Sequence, residues 1–304
     1  MPVLRSLLFA PGNHARRVHK CLTLEADAVI LDLEDAVAQA EKVATRDLVV
    51  QALGQPRRGL GYVRVNALST SWALGDLQAV VAPGVDGIVL PKVESARELH
   101  TAQWLLEALE RDRGLPAGRL DLIPIIETAA GFANLPSIAQ AARRARRLAF
   151  GAGDFTLDVG LAWSADEAEL LPHRSALVLQ SRAAALEPPL DTVWVTLDDA
   201  PGFQRSVERA RSLGFQGKLC IHPDQVPVVN ACFSPTPQEL AQARRVISAF
   251  EQAEREGLAA IQVDGQFVDY PIVYRAQRIV ARAEAIEHAR TGPAPRGSHE
   301  RGQP

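Results

Sequence analysis

Acidic residues recur in this 304-residue chain where short apolar runs end. Asp32, Glu34 and Asp35 follow AVIL, Glu127 follows LIPII, and Asp154 follows FGAG. Other polar groups fall in the same place: Arg64 and Asn66 in YVRVN, Lys92 and Glu94 after GIVLP, Asp198 and Asp199 after VWVTL, and His222 after KLCI. Several carboxylates sharing one mouth repel and raise one another's pKa values unless cations accompany them. Arg64 and Lys92 supply part of that compensation, and a divalent metal would supply the rest. Carboxylates without a His or Cys cluster suit Mg²⁺ or Mn²⁺ rather than zinc. Mg²⁺ usually takes one or two protein carboxylates and leaves its other positions to water and substrate oxygens. Glu127 and Asp154 are the natural pair, each beside small residues (Thr128–Gly131 after one, Gly151, Ala152 and Gly153 before the other) that let a substrate come close to backbone N–H groups. The plain alternative is that the two acids form salt bridges with Arg64 or Lys92.

Positioning these groups needs parallel strands whose carboxyl ends meet. Strands are expected at Leu4–Phe9, Ala28–Leu31, Tyr62–Val65, Gly87–Leu90, Leu122–Ile126, Leu148–Phe150, Val193–Leu197 and Lys218–Ile221, from β-branched or apolar runs bounded by turn residues. Between them lie Ala/Leu/Arg/Glu-rich stretches long enough for helices, such as Ala96–Arg113 and Pro136–Arg146. Eight strands alternating with helices is the arithmetic of an α/β (β/α)₈ TIM barrel, whose working face lies at the strand carboxyl ends. An open doubly wound sheet is the rival, but no GxGxxG follows the first strand.

After the eighth strand the chain reads as a proline-containing loop, Pro223–Pro237, a helix over Gln238–Glu256, a turn-rich segment Val263–Pro271, and a last helix to about His288. The expected organisation is a barrel over 1–225, a helical extension and lid over 226–290, and a disordered tail over 291–304, where almost no apolar side chains occur. The run Arg143–Arg147 reads as a solvated helix end. Lys92 and Glu94 read as an ion pair at the barrel mouth, His222 as hydrogen-bonded within the rim, Arg5 as structural, and Cys220 as buried filler.

A net charge of −3 leaves no electrostatic footprint for nucleic acid or an anionic membrane. No apolar run approaches the ~18 residues of a membrane span, and MPVLRSLLFA shows no export signal. Three cysteines without a CxxC pair argue against a disulfide framework or a zinc ribbon. A cytoplasmic small-molecule enzyme is the expectation.

Eight phrases in order, RSLLFAPGN, AVILDLEDAV, YVRVN, DGIVLPKVES, IIETAAG, FGAGDF, LGFQGKLCIHPDQ and VDGQFVDYP, resemble the HpcH/HpaI aldolase superfamily and, within it, the citrate lyase beta-subunit-like CoA ester lyases. The resemblance runs from Leu4 to about Ala283. It implies a TIM barrel, trimeric or hexameric, with Glu127 and Asp154 holding Mg²⁺. It also implies that Arg64 binds the carboxylate of a 2-oxo acid, a role suited to its bidentate fork, with Gly153 lining the same substrate site. Asp32, Glu34, Asp35 and Lys92 belong to the active site and its immediate support, with Asp35 expected among the catalytic groups. In longer members a C-terminal segment covers the active site of an adjacent subunit and supplies an Asp in an [IV]DxP phrase as acid/base; Asp269 matches it. Two departures stand out: Pro172–His173 where an aromatic–Ala pair is more usual before Arg–Ser, and the loop Gly12–Arg16 without a proline that often follows.

The chemistry implied is Mg²⁺-dependent, reversible cleavage of a 3-hydroxyacyl-CoA (malyl-, citramalyl- or citryl-CoA-like) into a 2-oxo acid and an acyl-CoA. Three rivals differ in substrate or class. A class II pyruvate aldolase would need a histidine-centred base, for which His14 and His19 are the candidates. A citrate lyase beta subunit would act on an acyl-carrier-protein thioester. A non-catalytic barrel scaffold would show no metal-dependent turnover.

Overall fold

Eight parallel strands pair in sequence order and close on themselves in the computed structural model, which describes residues 3–291. They are β1 (Ser6–Pro11), β2 (Ala28–Asp32), β3 (Leu60–Arg64), β4 (Gly87–Leu90), β5 (Asp121–Ile126), β6 (Ala149–Phe150), β7 (Leu190–Asp191) and β8 (Gly217–Cys220). Helices α1 (Ala15–Thr23), α2 (Lys42–Leu53), α3 (Ala73–Val80) and α4 (Ala96–Asp112) follow the first four strands in turn. Two short helices, α5 (Ala129–Ala133) and α6 (Leu135–Ala141), follow β5; α7 (Ala152–Val159) and α8 (Leu171–Ala183) follow β6; α9 (Ala200–Leu213) follows β7; and α10 (Gln225–Cys232) follows β8. The TIM barrel expected from the alternation of strands and helices is therefore present.

Strands covered on both faces must be apolar throughout, and β2 and β4 are buried along their whole length. Leu7, Ile30, Tyr62, Val89, Ile123, Ile125, Ala149, Leu190 and Leu219 fill the interior, so that every one of the eight strands contributes. Ser95 starts α4 with a reciprocal cap: its hydroxyl accepts the Glu98 N–H, and the Glu98 carboxylate accepts the Ser95 N–H. At the amino ends of the strands, Arg147 donates to Asp121 (2.5 Å) and Glu187 (2.8 Å), and the Tyr62 hydroxyl donates to Asp121 (2.8 Å).

Four expectations are corrected. The seventh strand is Leu190–Asp191, not Val193–Leu197. Leu190 is the residue that meets both neighbours, Ala149 of β6 and Gly217 of β8; the more strongly apolar stretch beyond it stays out of the sheet, with Val193 packed on the barrel core, Trp194 buried and Leu197 57% exposed. Within 223–237 a helix, α10, replaces the expected loop. The helix expected to reach Arg146 stops at Ala141, because the Gln103 side chain takes over its end, donating to the Ala141 carbonyl (3.1 Å) and accepting the Arg144 N–H (2.7 Å). The arginine run is consequently no solvated helix end: Arg147 is fully buried and Arg144 pairs with the buried Glu110. Arg5, by contrast, is structural as expected, held on the Asp27 carboxylate, and Cys220 is fully buried.

The chain divides into the barrel unit, residues 4–230, and a second unit running from Ala231 onward. The second contains α11 (Pro237–Arg255), a two-stranded antiparallel hairpin of β9 (Ile261–Val263) and β10 (Gln266–Val268), and α12 (Tyr270–Thr291). Thr236 and Glu239 form a reciprocal cap at the start of α11. Ala243, Val246, Phe250, Val268, Val273 and Ala276 make this unit's own core. The segment expected to be turn-rich is thus largely the hairpin, turning at Asp264 and Gly265, both at positive φ. Apart from Thr291, the tail expected at 291–304 lies outside the described residues. Among the described residues no helix is long and apolar enough to cross a membrane.

Candidate active site

The acidic loop after β2 is built from below. Lys42, near the start of α2, donates from its buried ammonium to the Leu33 carbonyl (3.0 Å), the Glu34 carbonyl (2.6 Å) and Asn66 Oδ1 (2.7 Å). The Asn66 amide donates to the Leu33 carbonyl (2.9 Å) and to Asp76 (2.6 Å), which also receives Arg46 Nε (2.8 Å). The Lys42 ammonium, the Asn66 amide and the Asp76 carboxylate satisfy one another and the loop carbonyls, which fixes the loop's backbone. Gly12 permits the close crossing of β1 and β2 here: a Cβ at Gly12 would lie 2.7 Å from the Asp32 carbonyl.

On that base Asp32 grips Arg64 bidentately, accepting Nε at 2.7 Å and Nη2 at 2.6 Å, and also accepts the N–H groups of Glu34 and Ala36. Burial works against the charged form of Asp32, but the Arg64 guanidinium and these hydrogen bonds hold its carboxyl below the usual carboxylate range. Glu34 lies 3.1 Å from Arg64 Nη1, and the guanidinium packs over the Phe9 ring at 4.9 Å. Burial raises the Glu34 carboxyl above its ordinary range, and Arg64 and Lys92 only partly offset it.

Glu127, immediately after β5, is 2% exposed and accepts the Lys92 N–H at 2.8 Å. Burial, then the charges of Asp154 and Glu34, pushes its carboxyl up to about 8. Gly151 makes room for it: a Cβ there would stand 2.2 Å from Glu127 Oε2. Asp154, in the first turn of α7, is a third exposed and lies 3.6 Å from Lys92 Nζ. The Lys92 ammonium also meets Glu34 at 2.7 Å and the exposed Asp35 at 3.1 Å. Gly153, on the exposed side of the same turn, has open space where a side chain would project, with Trp163 at 3.9 Å.

Arg64, Glu34, Lys92, Glu127 and Asp154 thus form one electrostatic cluster, with Asp32 beneath and Asp35 at its edge. Neither plain salt bridging nor metal binding describes all of it: Arg64 pairs with Asp32 and Glu34, whereas Glu127 has no ammonium or guanidinium in ion-pair contact among the described residues. Lys92 does not form the expected pair with Glu94; its ammonium turns to the β2 loop, and the Glu94 N–H is held by Glu98 (2.7 Å). Asp198 and Asp199 do not end a strand, since β7 stops earlier; Asp199 instead caps α9, accepting the Gly202 N–H (2.9 Å). His222 is on the rim, its Nδ1 accepting the Asp224 N–H (3.3 Å). Asp269 lies at the start of α12 in the second unit, where its carboxylate accepts the Ile272 N–H (3.4 Å).

The supporting role of Lys42 and Asp76 was not foreseen. The available signal was a lone acid in the otherwise apolar run ALGDLQAV and a lysine ten residues after the DLED acids begin. His173, one of the two departures from the usual pattern, packs against Phe155 (4.3 Å) and Phe132 (5.1 Å), and Arg174 beside it is fully buried on Glu167 and Asp191.

Residues 5–223 match the HpcH/HpaI aldolase/citrate lyase family, and residues 176–286 match a carbon–carbon bond lyase family of the TIM-barrel fold. The chain is 38% identical over 283 residues to the citrate lyase subunit beta of Leuconostoc mesenteroides subsp. cremoris, covering 92% of this chain and 93% of that protein. It is 37% identical over 284 residues to a (3S)-malyl-CoA thioesterase of Cereibacter sphaeroides, covering 93% and 95%. Among solved structures, CitE from Mycobacterium tuberculosis in complex with magnesium, acetoacetate and coenzyme A is similar with a TM-score of 0.73 and 31% identity, covering 93% of this chain and 98% of that one. With an eight-stranded parallel barrel, an acidic mouth and these relatives along nearly its whole length, the chain belongs to the HpcH/HpaI aldolase/citrate lyase family of carbon–carbon bond lyases.

Proposed function

We propose that this chain is a Mg²⁺-dependent CoA-ester lyase that reversibly cleaves a 3-hydroxyacyl-CoA of the malyl, citramalyl or citryl class into a 2-oxo acid and an acyl-CoA. The observation that carries the reading is the gathering of Arg64, Glu127 and Asp154 into one charge cluster at the strand carboxyl ends. Glu127 and Asp154 would hold Mg²⁺, or Mn²⁺ by the same ligand chemistry. The donors fit: they are hard carboxylate oxygens, and Glu127 is a buried acid, crowded by other acids, whose charge an added cation would favour.

When bound, the metal supplies Lewis acidity at the substrate hydroxyl next to the breaking bond. The residues do the rest. Asp32 occupies the Nε–Nη2 edge of Arg64 and so holds the guanidinium still, and a substrate carboxylate would take Nη1 in place of Glu34, which stands 3.1 Å from it. Lys42 and Asn66 fix the loop that carries Asp32 and Glu34. Asp35, the exposed acid of the cluster, takes the hydroxyl proton. Asp269, supplied by the C-terminal lid of a neighbouring copy, gives a proton to the thioester enolate α-carbon in cleavage and removes it in condensation. Assembly as a homotrimer or hexamer in the cytoplasm belongs to the same reading.

The test is a panel of malyl-, citramalyl- and citryl-CoA incubated with the protein and Mg²⁺, scoring 2-oxo acid and acyl-CoA, with and without EDTA. EDTA-sensitive cleavage of one member, restored by excess Mg²⁺, is the expected result. Free CoA appearing without acyl-CoA would add a hydrolytic step. The citrate lyase subunit beta relatives favour a second reading, an acyl-carrier-protein thioester as substrate, so the same acyl groups on a carrier protein form a further arm. Silence in every arm overturns the lyase assignment.

Asp269→Asn is expected to lower turnover by about a thousandfold or more, within the span of general acid–base catalysis, while pyruvate or oxaloacetate still binds the Mg²⁺-loaded protein by calorimetry. Wild-type turnover in that variant would remove Asp269 from the mechanism.

A further inference from the structure

Lys92 touches both carboxylates assigned to the metal, and it does so with different atoms. Its backbone N–H donates to Glu127 Oε1 at 2.8 Å, while its ammonium stands 3.6 Å from Asp154 Oδ1. The same ammonium is 2.7 Å from Glu34 Oε1 and 3.1 Å from Asp35 Oδ2. Lys92 has φ +52°, in the left-handed region that a side-chain-bearing residue rarely adopts. That turn of the backbone is what allows its N–H to serve β5 while its side chain reaches the β2 loop. A strained residue at a functional cluster calls for a functional account.

We infer that Lys92 is a built-in counter-cation of the metal site: its ammonium shields Asp154 when no metal is bound and withdraws onto Glu34 and Asp35 when Mg²⁺ takes Asp154. The inference rests on the metal assignment above. Of the three ammonium contacts the one to Asp154 is the longest, and only the two to the β2 loop meet hydrogen-bond geometry. A small rotation of the flexible lysine stem therefore frees Asp154 without giving up the anchor on Glu34. A divalent cation on Asp154 would repel an ammonium left at that distance, and Glu34 and Asp35 provide the place for it to go. Glu34 is nearly fully buried, and this role explains why a second acid sits beside Arg64 when Asp32 already holds the guanidinium. Lys92 is thus a positioning residue that sets how readily the metal exchanges.

The test is Mn²⁺ binding to the full chain without substrate, read by electron paramagnetic resonance of free Mn²⁺. Lys92→Met and Lys92→Gly both remove the charge yet keep the backbone N–H, and glycine also relieves the left-handed conformation. Both are expected to bind Mn²⁺ about tenfold tighter, from the loss of one positive charge several ångströms from the ion. Glu34→Gln is expected to weaken binding about tenfold in the wild-type background but only about twofold in the Lys92→Met background, because much of its effect runs through the stranded ammonium. Unchanged or weaker binding in both Lys92 variants, with melting midpoints retained and binding lost in Glu127→Gln, would overturn the role of Lys92 alone. Undiminished binding in Glu127→Gln would instead overturn the metal assignment on which it rests.

Discussion

Glu127→Gln is expected to lower kcat/KM by about a thousandfold or more, equivalent to roughly 4 kcal/mol of transition-state stabilisation, and to weaken Mg²⁺ binding in parallel. The amide is nearly the same size, so the Gly151 cradle still accepts it, but it contributes no charge. Its carbonyl oxygen can still accept the Lys92 N–H, so the fold around it is retained. The loss therefore falls on binding a cation and on what that cation does. Steady-state kinetics with Mg²⁺ titration, beside a thermal melt, check it: a variant melting like wild type and turning over within tenfold of it would place the metal elsewhere.

The same carboxyl predicts a direction with pH. Because burial and its acidic neighbours push Glu127 up to about 8, the protonated form dominates at neutral pH and metal binding must expel that proton. Apparent Mg²⁺ affinity is expected to rise from pH 6 to about pH 8 and then level off. The metal-free protein should behave in the opposite sense: a carboxyl whose folded pKa is raised stabilises the fold below its unfolded value, and that contribution disappears as pH climbs through the folded one. Mg²⁺ should therefore raise the melting midpoint more at pH 8 than at pH 6.

The second large effect is on stability. Arg174→Met is expected to cost about 3–5 kcal/mol, which for a chain of this size lowers the melting midpoint by roughly 10 °C. Arg174 is fully buried and donates to two carboxylates that are themselves fully buried, Glu167 (2.9 and 3.0 Å) and Asp191 (2.8 and 3.1 Å). Methionine fills much of the volume but leaves two negative charges with Lys218 at 2.5 Å from Asp191 and Arg209 at 3.4 Å from Glu167. Burial opposes the charge on Asp191, yet Lys218 and Arg174 hold its carboxyl below the usual range. A carboxyl with a lowered folded pKa stabilises the protein above its unfolded value, and that contribution is lost as pH falls through the folded one. With one cation gone, acid unfolding of Arg174→Met should begin at a higher pH than in the wild type. Calorimetric melts across pH 4–7 check both statements, and a midpoint within about 2 °C of wild type would show that the remaining cations suffice.

The barrel was legible because its strands are short apolar runs at regular intervals, as parallel strands buried on both faces must be, and because eight of them alternate with helices. The candidate site was legible for a related reason: a barrel delivers to one mouth whatever follows its strands, so Arg64, Lys92, Glu127 and Asp154 could be gathered by position alone. The seventh strand shows where this reading fails. VWVTL is a better strand sequence than the Leu190–Asp191 pair, but the barrel uses the segment that lines up with Ala149 and Gly217, and the better strand former stays out of the sheet, with Val195 and Leu197 exposed. Propensity is local, whereas register is set by the neighbours.

Pairing among charges was the other thing hidden. RRARR has the composition of a solvated helix end, and only the fold brings Glu110, Asp121 and Glu187 from distant positions to bury two of its arginines. Lys92 lies two residues from Glu94 in the chain yet pairs with the loop after β2. Local order along the chain set the succession of strands and helices and the kinds of group at each strand end, because periodicity and residue type are properties of short segments. The tertiary structure alone decided which of those groups are buried, which are paired and which acid is left for a metal, because desolvation and Coulomb forces act between residues that only folding makes neighbours.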